Sequence, residues 1–160
     1  MPELWGILFK DMPQELMAQY GEPTYAEWAT YTALTMYALH QQGRRIADNN
    51  MHRQGVSLGK ALARLIVGDD DKDGRERIAK RLNAFATAYD MTEAAYYLRG
   101  LIQFLRTNDV GLDYVQLALD LYSFQFPERA PGVRLKWGQD FYRAAVNDNT
   151  DKEGKAENNG

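Results

Sequence analysis

The chain has 160 residues, of which 45% are hydrophobic and none is cysteine, so it can bury the core of one compact domain but cannot form disulfides or thiolate sites. No run of about 18 apolar residues could span a bilayer, and the first residues lack the basic segment and apolar stretch of a signal peptide, so we expect a cytoplasmic protein. The formal net charge of -3 does not exclude a polyanionic partner, because residues 43–143 contain 16 Lys or Arg against 13 Asp or Glu and the acidic excess lies at the two ends.

Apolar residues recur at three- and four-residue steps, and alternating β-branched runs are missing, which predicts an all-α protein: a compact bundle of about six to eight helices. In chain order, the predicted helices span about 3–10, 13–20, 25–41, 58–67, 74–88, 92–107, 113–125 and 132–146. We expect a single domain of residues 1–146, with 1–67 and 73–146 as two potential packed halves, and a disordered polar tail over 147–160.

Polar residues at helix starts support these boundaries. Thr24 and Glu27 fit a capping box before the third helix, Ser57 can cap the fourth, and Asp73 is the expected cap of the fifth. The third helix is predicted to turn one set of residues toward the core: Trp28, Tyr31, Leu34, Thr35, Ala38 and Leu39. In the last helix, the expected anchors are Leu135, Trp137 and Phe141.

Residues 43–55 have no helical period and are predicted to form an exposed, mobile loop. This loop contains Arg44, Arg45 and Arg53. Immediately after it, Gly55 and Gly59 would let the backbone approach a ligand closely, next to Lys60 and a helix N-terminus that attracts anions. The segment is therefore expected to suit a nucleic-acid phosphate.

The sequence supports no catalytic site, metal site or cofactor. His40 and His52 are twelve residues apart and match no metal-binding spacing, so His40 is expected to be structural or solvated. The aspartates at 69, 70, 71 and 73 lack the glycine and glutamate of a calcium loop. The segment 55–61 is too short for a phosphate-binding Walker loop, and no strand precedes it.

Positive side chains recur on helix faces through the central region. Lys60 and Arg64 lie four residues apart, as do Arg77 and Arg81, which Lys80 accompanies. Further cations follow at Arg99, Arg106, Arg134, Lys136 and Arg143. Each face alone is typical of solvated surface, but together with the Arg-rich loop they favour contact with phosphates. The aromatic residues have core spacing, and we assign none of them to base recognition.

Several segments carry a family resemblance: YALHQQ (37–42), GVSLGKAL (55–62), YLRGLI (97–102), LDY (112–114) and VRLKWGQDFY (133–142). In this order they resemble the CasB family, the small subunit of the type I-E CRISPR Cascade complex, over roughly residues 25–143. Lys60, Arg77, Arg99 and Arg134 match positive positions of that family by motif. Family members have a further basic N-terminal segment that this sequence does not show.

The resemblance implies a non-catalytic subunit that helps to hold the R-loop and its displaced DNA strand. Its expected partners are the other Cascade subunits, a second copy of itself, CRISPR RNA and target DNA, and none is a membrane. Guide RNA would read the sequence, which leaves backbone contacts to the protein. The alternative is a helical adaptor that contacts only proteins; a small helical nuclease is disfavoured because no metal or general-base cluster is present.

Overall fold

The structure is a computed structural model that describes residues 9–68 and 70–157, the last thirteen of these as backbone only. Within these residues it contains six α-helices: α1 (Tyr25–Gln41), α2 (Leu58–Ala63), α3 (Lys72–Ala86), α4 (Met91–Thr107), α5 (Tyr114–Phe124) and α6 (Ala130–Glu157). The described part has no strand, only an isolated bridge between His52 and Leu112. The all-α prediction is therefore confirmed.

The helices pack as one interleaved bundle. The first helix, α1, lies against α4 and α5, whereas α2 packs mainly on α6, and α3 packs on α4. A single hydrophobic cluster draws residues from all six helices, including Ala33, Leu62, Phe85, Leu101 and Trp137. The single domain of residues 1–146 and its division into halves 1–67 and 73–146 stay predictions, although α2 packs mainly on α6.

The chain before α1 is less helical than predicted. Most of the predicted helix 3–10 lies outside the described residues, and the predicted helix 13–20 is only a short 3-10 helix, Gln14–Leu16. Backbone groups of this segment bond to side chains at the start of α1 instead of to one another. The Glu27 carboxylate accepts from the Ala18 N–H at 2.7 Å, and the Thr24 hydroxyl donates to the Leu16 carbonyl.

Most of the helix caps follow the sequence. The capping box of Thr24 and Glu27 is present, and Ser57 caps α2. The prediction for Asp73 is wrong, because Asp71 caps α3 and Asp73 lies in its first turn. Asp71 is better placed because its carboxylate accepts from the Gly74 N–H at 3.0 Å and also from the Val67 N–H at 3.2 Å, joining the preceding loop to the helix.

Two predicted helix ends are also wrong. The second helix, α2, stops at Ala63 instead of 67, and the residues after it form turns. The last helix continues past 146 to Glu157, where the sequence predicted a disordered tail. Extension adds one hydrogen bond per residue to a nucleus that is already packed, so it requires little help from the local sequence.

The predicted core face of α1 is only partly right, since Trp28 and Leu39 pack, half-buried, against the core. Its buried apolar residues are Ala29, Ala33 and Met36, whereas Leu34 and Ala38 are exposed. Small side chains face inward because two helices, α4 and α5, lie against this one. In α6, Trp137 and Phe141 are fully buried as expected, but Leu135 is 61% exposed and anchors nothing.

No helix in the described ranges is long and apolar enough to cross a membrane.

Candidate nucleic-acid interface

The loop 43–55 is tied to the end of α4 by its polar side chains. Arg44 donates from Nε to the Asp109 carboxylate at 3.0 Å and from Nη1 to the His40 carbonyl at 3.3 Å. Asn49 donates to the same carboxylate at 2.8 Å. These two hydrogen bonds lower the pKa of Asp109. Arg106 of α4 donates to the carbonyl of Gln42, just before the loop, at 3.2 Å. Side chains from both segments therefore join the first half of the loop to the end of α4.

The second half of the loop is fixed to the start of α5. Met51 is fully buried, which corrects the prediction that the loop is exposed throughout, and its N–H donates to the Gln41 side chain at 2.9 Å. Asp113 accepts from the Gly55 N–H at 2.9 Å. Burial alone would raise the pKa of Asp113, but hydrogen bonds from the Gly55 and Gln116 N–H groups lower it overall.

Between α3 and α4 lies a cleft of about 760 Å³, called here the α3–α4 cleft. It is lined by Arg77, Lys80, Ala84 and Arg81 from α3, and by Tyr96, Tyr97, Arg99, Gly100 and Gln103 from α4. None of the described residues that line it carries a carboxylate. None of its four cations forms an ion pair within the described part of the chain.

Helix periodicity explains how the cleft forms. Residues 77, 80, 81 and 84 share one face of α3, opposite the buried Ile78, Leu82 and Phe85. On α4, residues 96, 99, 100 and 103 share another face by the same rule. The two faces meet because α3 packs against α4. Arg81 lies over the Phe104 ring, 4.6 Å from its centroid, which holds one cation against the cleft wall.

The positive side continues along α4 toward the loop. Arg99, Gln103 and Arg106 follow one another at four- and three-residue steps, so they form one row along the helix. Beyond Arg106 begins a second, smaller cleft of about 540 Å³, lined by Arg53 and Arg64 together with Asp109. Arg53 donates to the Asn49 side chain at 3.1 Å, which links this cleft to the loop.

The remaining predicted cations lie outside this row. Arg45 pairs with Asp48 at 3.3 Å on the surface. Lys60 and Arg143 are exposed on α2 and α6. Arg134 donates to the Ala86 carbonyl at 2.6 Å and lies over the Phe124 ring, and Lys136 pairs with Asp120 at 3.2 Å. The last two therefore have partners inside the fold.

The expected phosphate site at Gly59 is wrong. Gly59 is buried, and a Cβ there would lie 2.5 Å from the Trp137 carbonyl oxygen and 2.7 Å from the Phe141 nitrogen. The close approach that this glycine permits is to the backbone of α6 and not to a ligand. Ser57 already accepts from the Lys60 N–H at 3.3 Å.

The histidines have structural partners. His40 is fully buried, with its Nδ1 2.8 Å from the Tyr114 hydroxyl, and burial lowers its pKa to about 4. Burial also raises the pKa of the Tyr114 hydroxyl. His52 accepts from the Tyr114 N–H at 3.1 Å. The residues described contain no cluster of three His, Asp or Glu side chains that could hold a metal ion.

Sequence analysis missed the tyrosines and the glutamine of the α3–α4 cleft. Tyr96 is 75% exposed and lies three residues before Arg99, on the same helix face. The exposure of Tyr96 could have been predicted from the sequence, because an aromatic residue on the polar face of a helix departs from core spacing. The sequence could not predict that the cations of α3 lie near Tyr96, because their proximity depends on tertiary packing.

Comparisons with known proteins agree with this architecture. The model of the family "CRISPR-associated protein Cse2" matches residues 1–142. The crystal structure of CasB from Thermobifida fusca is similar with 33% identity and a TM-score of 0.70, over 86% of this chain and 76% of that one. A CRISPR-associated protein of the Cse2 family from Thermus thermophilus has 24% identity and a TM-score of 0.57, over 81% and 70% of the two chains.

A third structure, CasB from Thermus thermophilus, has 23% identity and a TM-score of 0.59, over 89% of this chain and 72% of that one. At this level of identity the two Thermus structures speak for the fold alone. Comparison with curated proteins gives no significant match.

Proposed function

The chain belongs to the CRISPR-associated Cse2 family, and from this premise we propose that it is the non-catalytic small subunit of a type I-E Cascade complex. In this role it binds the nucleic-acid backbone and stabilises the R-loop with its displaced DNA strand. The proposed partners are the other Cascade subunits, a second copy of the chain, CRISPR RNA and target DNA, in the cytoplasm.

The observation that carries this proposal is the α3–α4 cleft. Four cations face one concave surface to which the described part of the chain contributes no carboxylate, although acidic residues outnumber basic ones in the whole chain. Cations grouped in this way neutralise phosphates and release counterions, which is the main source of affinity for nucleic acid without sequence preference. The row from Arg99 to Arg106 would extend the contact toward the loop 43–55.

The proposed role requires no catalytic group. In RNA-guided recognition, base pairing with the guide reads the target sequence, and the protein binds backbone and shape. Arginine and lysine suit that task because they contact phosphate oxygens of any sequence. The candidate site is composed of these side chains.

A matched pair of charge reversals tests backbone binding. Lys80→Glu changes a cleft residue, and Lys10→Glu makes the same chemical change at an exposed position outside the cleft. We expect Lys80→Glu to weaken binding of single-stranded DNA and to reduce the slope of log K against log salt by about 1, with Lys10→Glu close to wild type. Equal effects of the two variants, measured by anisotropy titration at several salt concentrations, would contradict the cleft as the binding site.

Reconstitution tests the role in the complex. The other Cascade subunits are assembled with wild-type chain, with Lys80→Glu or without the chain, and the lifetime of the R-loop on a target duplex is measured. We expect the R-loop to dissociate fastest without the chain and at an intermediate rate with Lys80→Glu. An R-loop lifetime that does not depend on the chain would refute the stabilising role.

An alternative function, a helical adaptor without nucleic-acid contact, is favoured by one observation. An apolar groove of about 760 Å³ lies between α1 and α5, with Leu34, Val115 and Leu119 exposed along it. Such a surface is typical of protein contacts. Pull-down of Cascade subunits before and after nuclease treatment separates the two functions, because an adaptor retains its partners when the nucleic acid is removed.

A further inference from the structure

We infer that the α3–α4 cleft selects single-stranded nucleic acid by stacking a base on Tyr96, while Arg77, Lys80 and Arg99 contact the phosphates on either side. This inference rests on the proposed function and deepens it, since backbone contact alone would treat all strands of equal charge alike. Stacking adds a requirement for an unpaired base.

The first support is the exposure and setting of Tyr96. Its side chain lies in the cleft and the residue is 75% exposed, so a face of the ring is open to the solvent. The neighbouring Tyr97 ring meets it edge-on, with centroids 5.4 Å apart and planes at 75°. This contact leaves most of the Tyr96 side chain accessible, since the residue stays 75% exposed. Open aromatic faces beside cations are the stacking platforms of single-strand-binding proteins.

The second support is the space left by Gly100, one helical turn after Tyr96 on the same face. A Cβ at this glycine would meet only the Arg81 Nη1 atom, at 3.8 Å, which is ordinary van der Waals contact. Packing within the described chain therefore does not require glycine here, although glycine weakens the middle of a helix. The missing side chain lets the Arg81 guanidinium lie over this turn of α4, one helical turn from Tyr96, where it can contact a phosphate next to a stacked base.

The third support is charge. Arg77 and Lys80 line the cleft from α3 and Arg99 lines it from α4, so both helices that form the cleft around Tyr96 carry cations. Another exposed tyrosine has a different setting: Tyr89 is 93% exposed, but it shares its cleft with the acidic Glu22 and Asp90 and with Arg134, whose guanidinium donates to the Ala86 carbonyl. Tyr89 therefore provides a matched control, because phosphates flanking a base stacked there would meet carboxylates.

The test uses the full chain and three labelled probes: a 15-nucleotide oligothymidine, an abasic phosphodiester of the same length, and a duplex. We expect Tyr96→Ala to weaken oligothymidine binding about tenfold and to change abasic binding less than twofold. Tyr96→Phe keeps the ring and should bind like the wild type, as should Tyr89→Ala. Gly100→Leu fills the space one helical turn after Tyr96 and should weaken oligothymidine binding. Thermal unfolding of each variant verifies that it is folded.

Several results would overturn the inference. If Tyr96→Ala weakens oligothymidine and abasic binding equally, or neither, no base stacks on the ring; backbone binding still stands if Lys80→Glu weakens both probes. If Lys80→Glu also has no effect, the proposed function fails as well. Competition by polyglutamate as strong as by oligothymidine, with no effect of Tyr96→Ala, would instead identify an acidic polypeptide as the ligand and reject stacking.

Discussion

His40 lies in the last turn of α1 with its imidazole fully buried, so its protonation is coupled to folding. Its pKa is about 4 in the folded protein, chiefly because of burial, compared with an ordinary value of 6.5. Between these two pH values, His40 is protonated in the unfolded chain but neutral in the folded chain. The stabilisation is fully present above about pH 6.5 and is lost as the pH falls toward 4.

We predict that the free energy of unfolding decreases by on the order of 2 kcal/mol between pH 7.5 and pH 5, because each pKa unit corresponds to about 1.4 kcal/mol. Urea unfolding at the two pH values measures this change. His40→Gln should remove most of the pH dependence while lowering stability at pH 7.5, whereas His52→Gln should keep it. An unchanged pH dependence in His40→Gln would assign the effect to other groups.

Single positions also show what the sequence could and could not predict. Arg77 and Arg99 were predicted to be cationic surface residues, and both line the α3–α4 cleft. Arg44 and Arg134 looked the same in the sequence, yet their guanidinium groups bond to Asp109 and to the Ala86 carbonyl. Those partners lie 65 and 48 residues away, so local charge spacing could not separate bound cations from available ones.

At the scale of elements, the contact between α2 and α6 depends on Gly59. A Cβ there would clash with backbone atoms of α6 that cannot move independently. We predict that Gly59→Ala lowers the free energy of unfolding by roughly 1–3 kcal/mol or more through overpacking. Gly138→Ala, in α6, is the control, because nothing lies within 4 Å of its Cβ position. It should raise the free energy of unfolding by about 0.5–1 kcal/mol, since alanine favours a helix interior more than glycine does. Chemical denaturation of both variants decides; similar effects would exclude a special role for Gly59.

The start of α3 offers a second test of local structure. Asp71→Ala removes the acceptor of both the Gly74 and the Val67 N–H groups and should cost about 1 kcal/mol. Asp73→Ala removes only a charge near the helix N-terminus and should cost about 0.5 kcal/mol or less. Equilibrium unfolding measures both. A larger loss in Asp73→Ala would restore the sequence-based choice of cap.

Sequence patterns predicted these elements well where the signal is local and less well where it is not. The boundaries of α1, α4 and α5 were nearly right because a polar cap and an apolar period coincide there. The run of aspartates before α3 offered several chemically equivalent caps, and Asp71 is distinguished by accepting from both the Gly74 and the Val67 N–H groups. The inward face of α1 was only partly right because closely packed neighbouring helices, which periodicity does not reveal, favour alanine there.

For the whole molecule, some cations bond to groups inside the fold, as Arg134 and Lys136 do, others are exposed singly, as Lys60 and Arg143 are, and one group faces the α3–α4 cleft. The packing of α2 on α6 and of α3 on α4 determines which cations find partners inside the fold. Local sequence patterns do not predict either contact. The apolar period predicted the bundle and the family resemblance implied a role, but the place where positive charge gathers follows from packing. Charge in the α3–α4 cleft is thus a property of the fold, in a chain whose total charge is negative.

This division predicts opposite outcomes for two arginine variants. Arg134→Ala removes a hydrogen bond to the Ala86 carbonyl and a cation over the Phe124 ring, so it should lower the free energy of unfolding by about 1 kcal/mol and leave the salt dependence of DNA binding unchanged. Arg77→Ala removes a cleft cation without an ion-pair partner in the described residues, so it should weaken binding and reduce the salt slope by about 1, with stability within about 0.5 kcal/mol of wild type. Denaturation and anisotropy titrations on the same two preparations compare both properties. If Arg134→Ala lowers the salt slope as much as Arg77→Ala, then Arg134 also contacts phosphate, and the interface extends beyond the cleft to the end of α3.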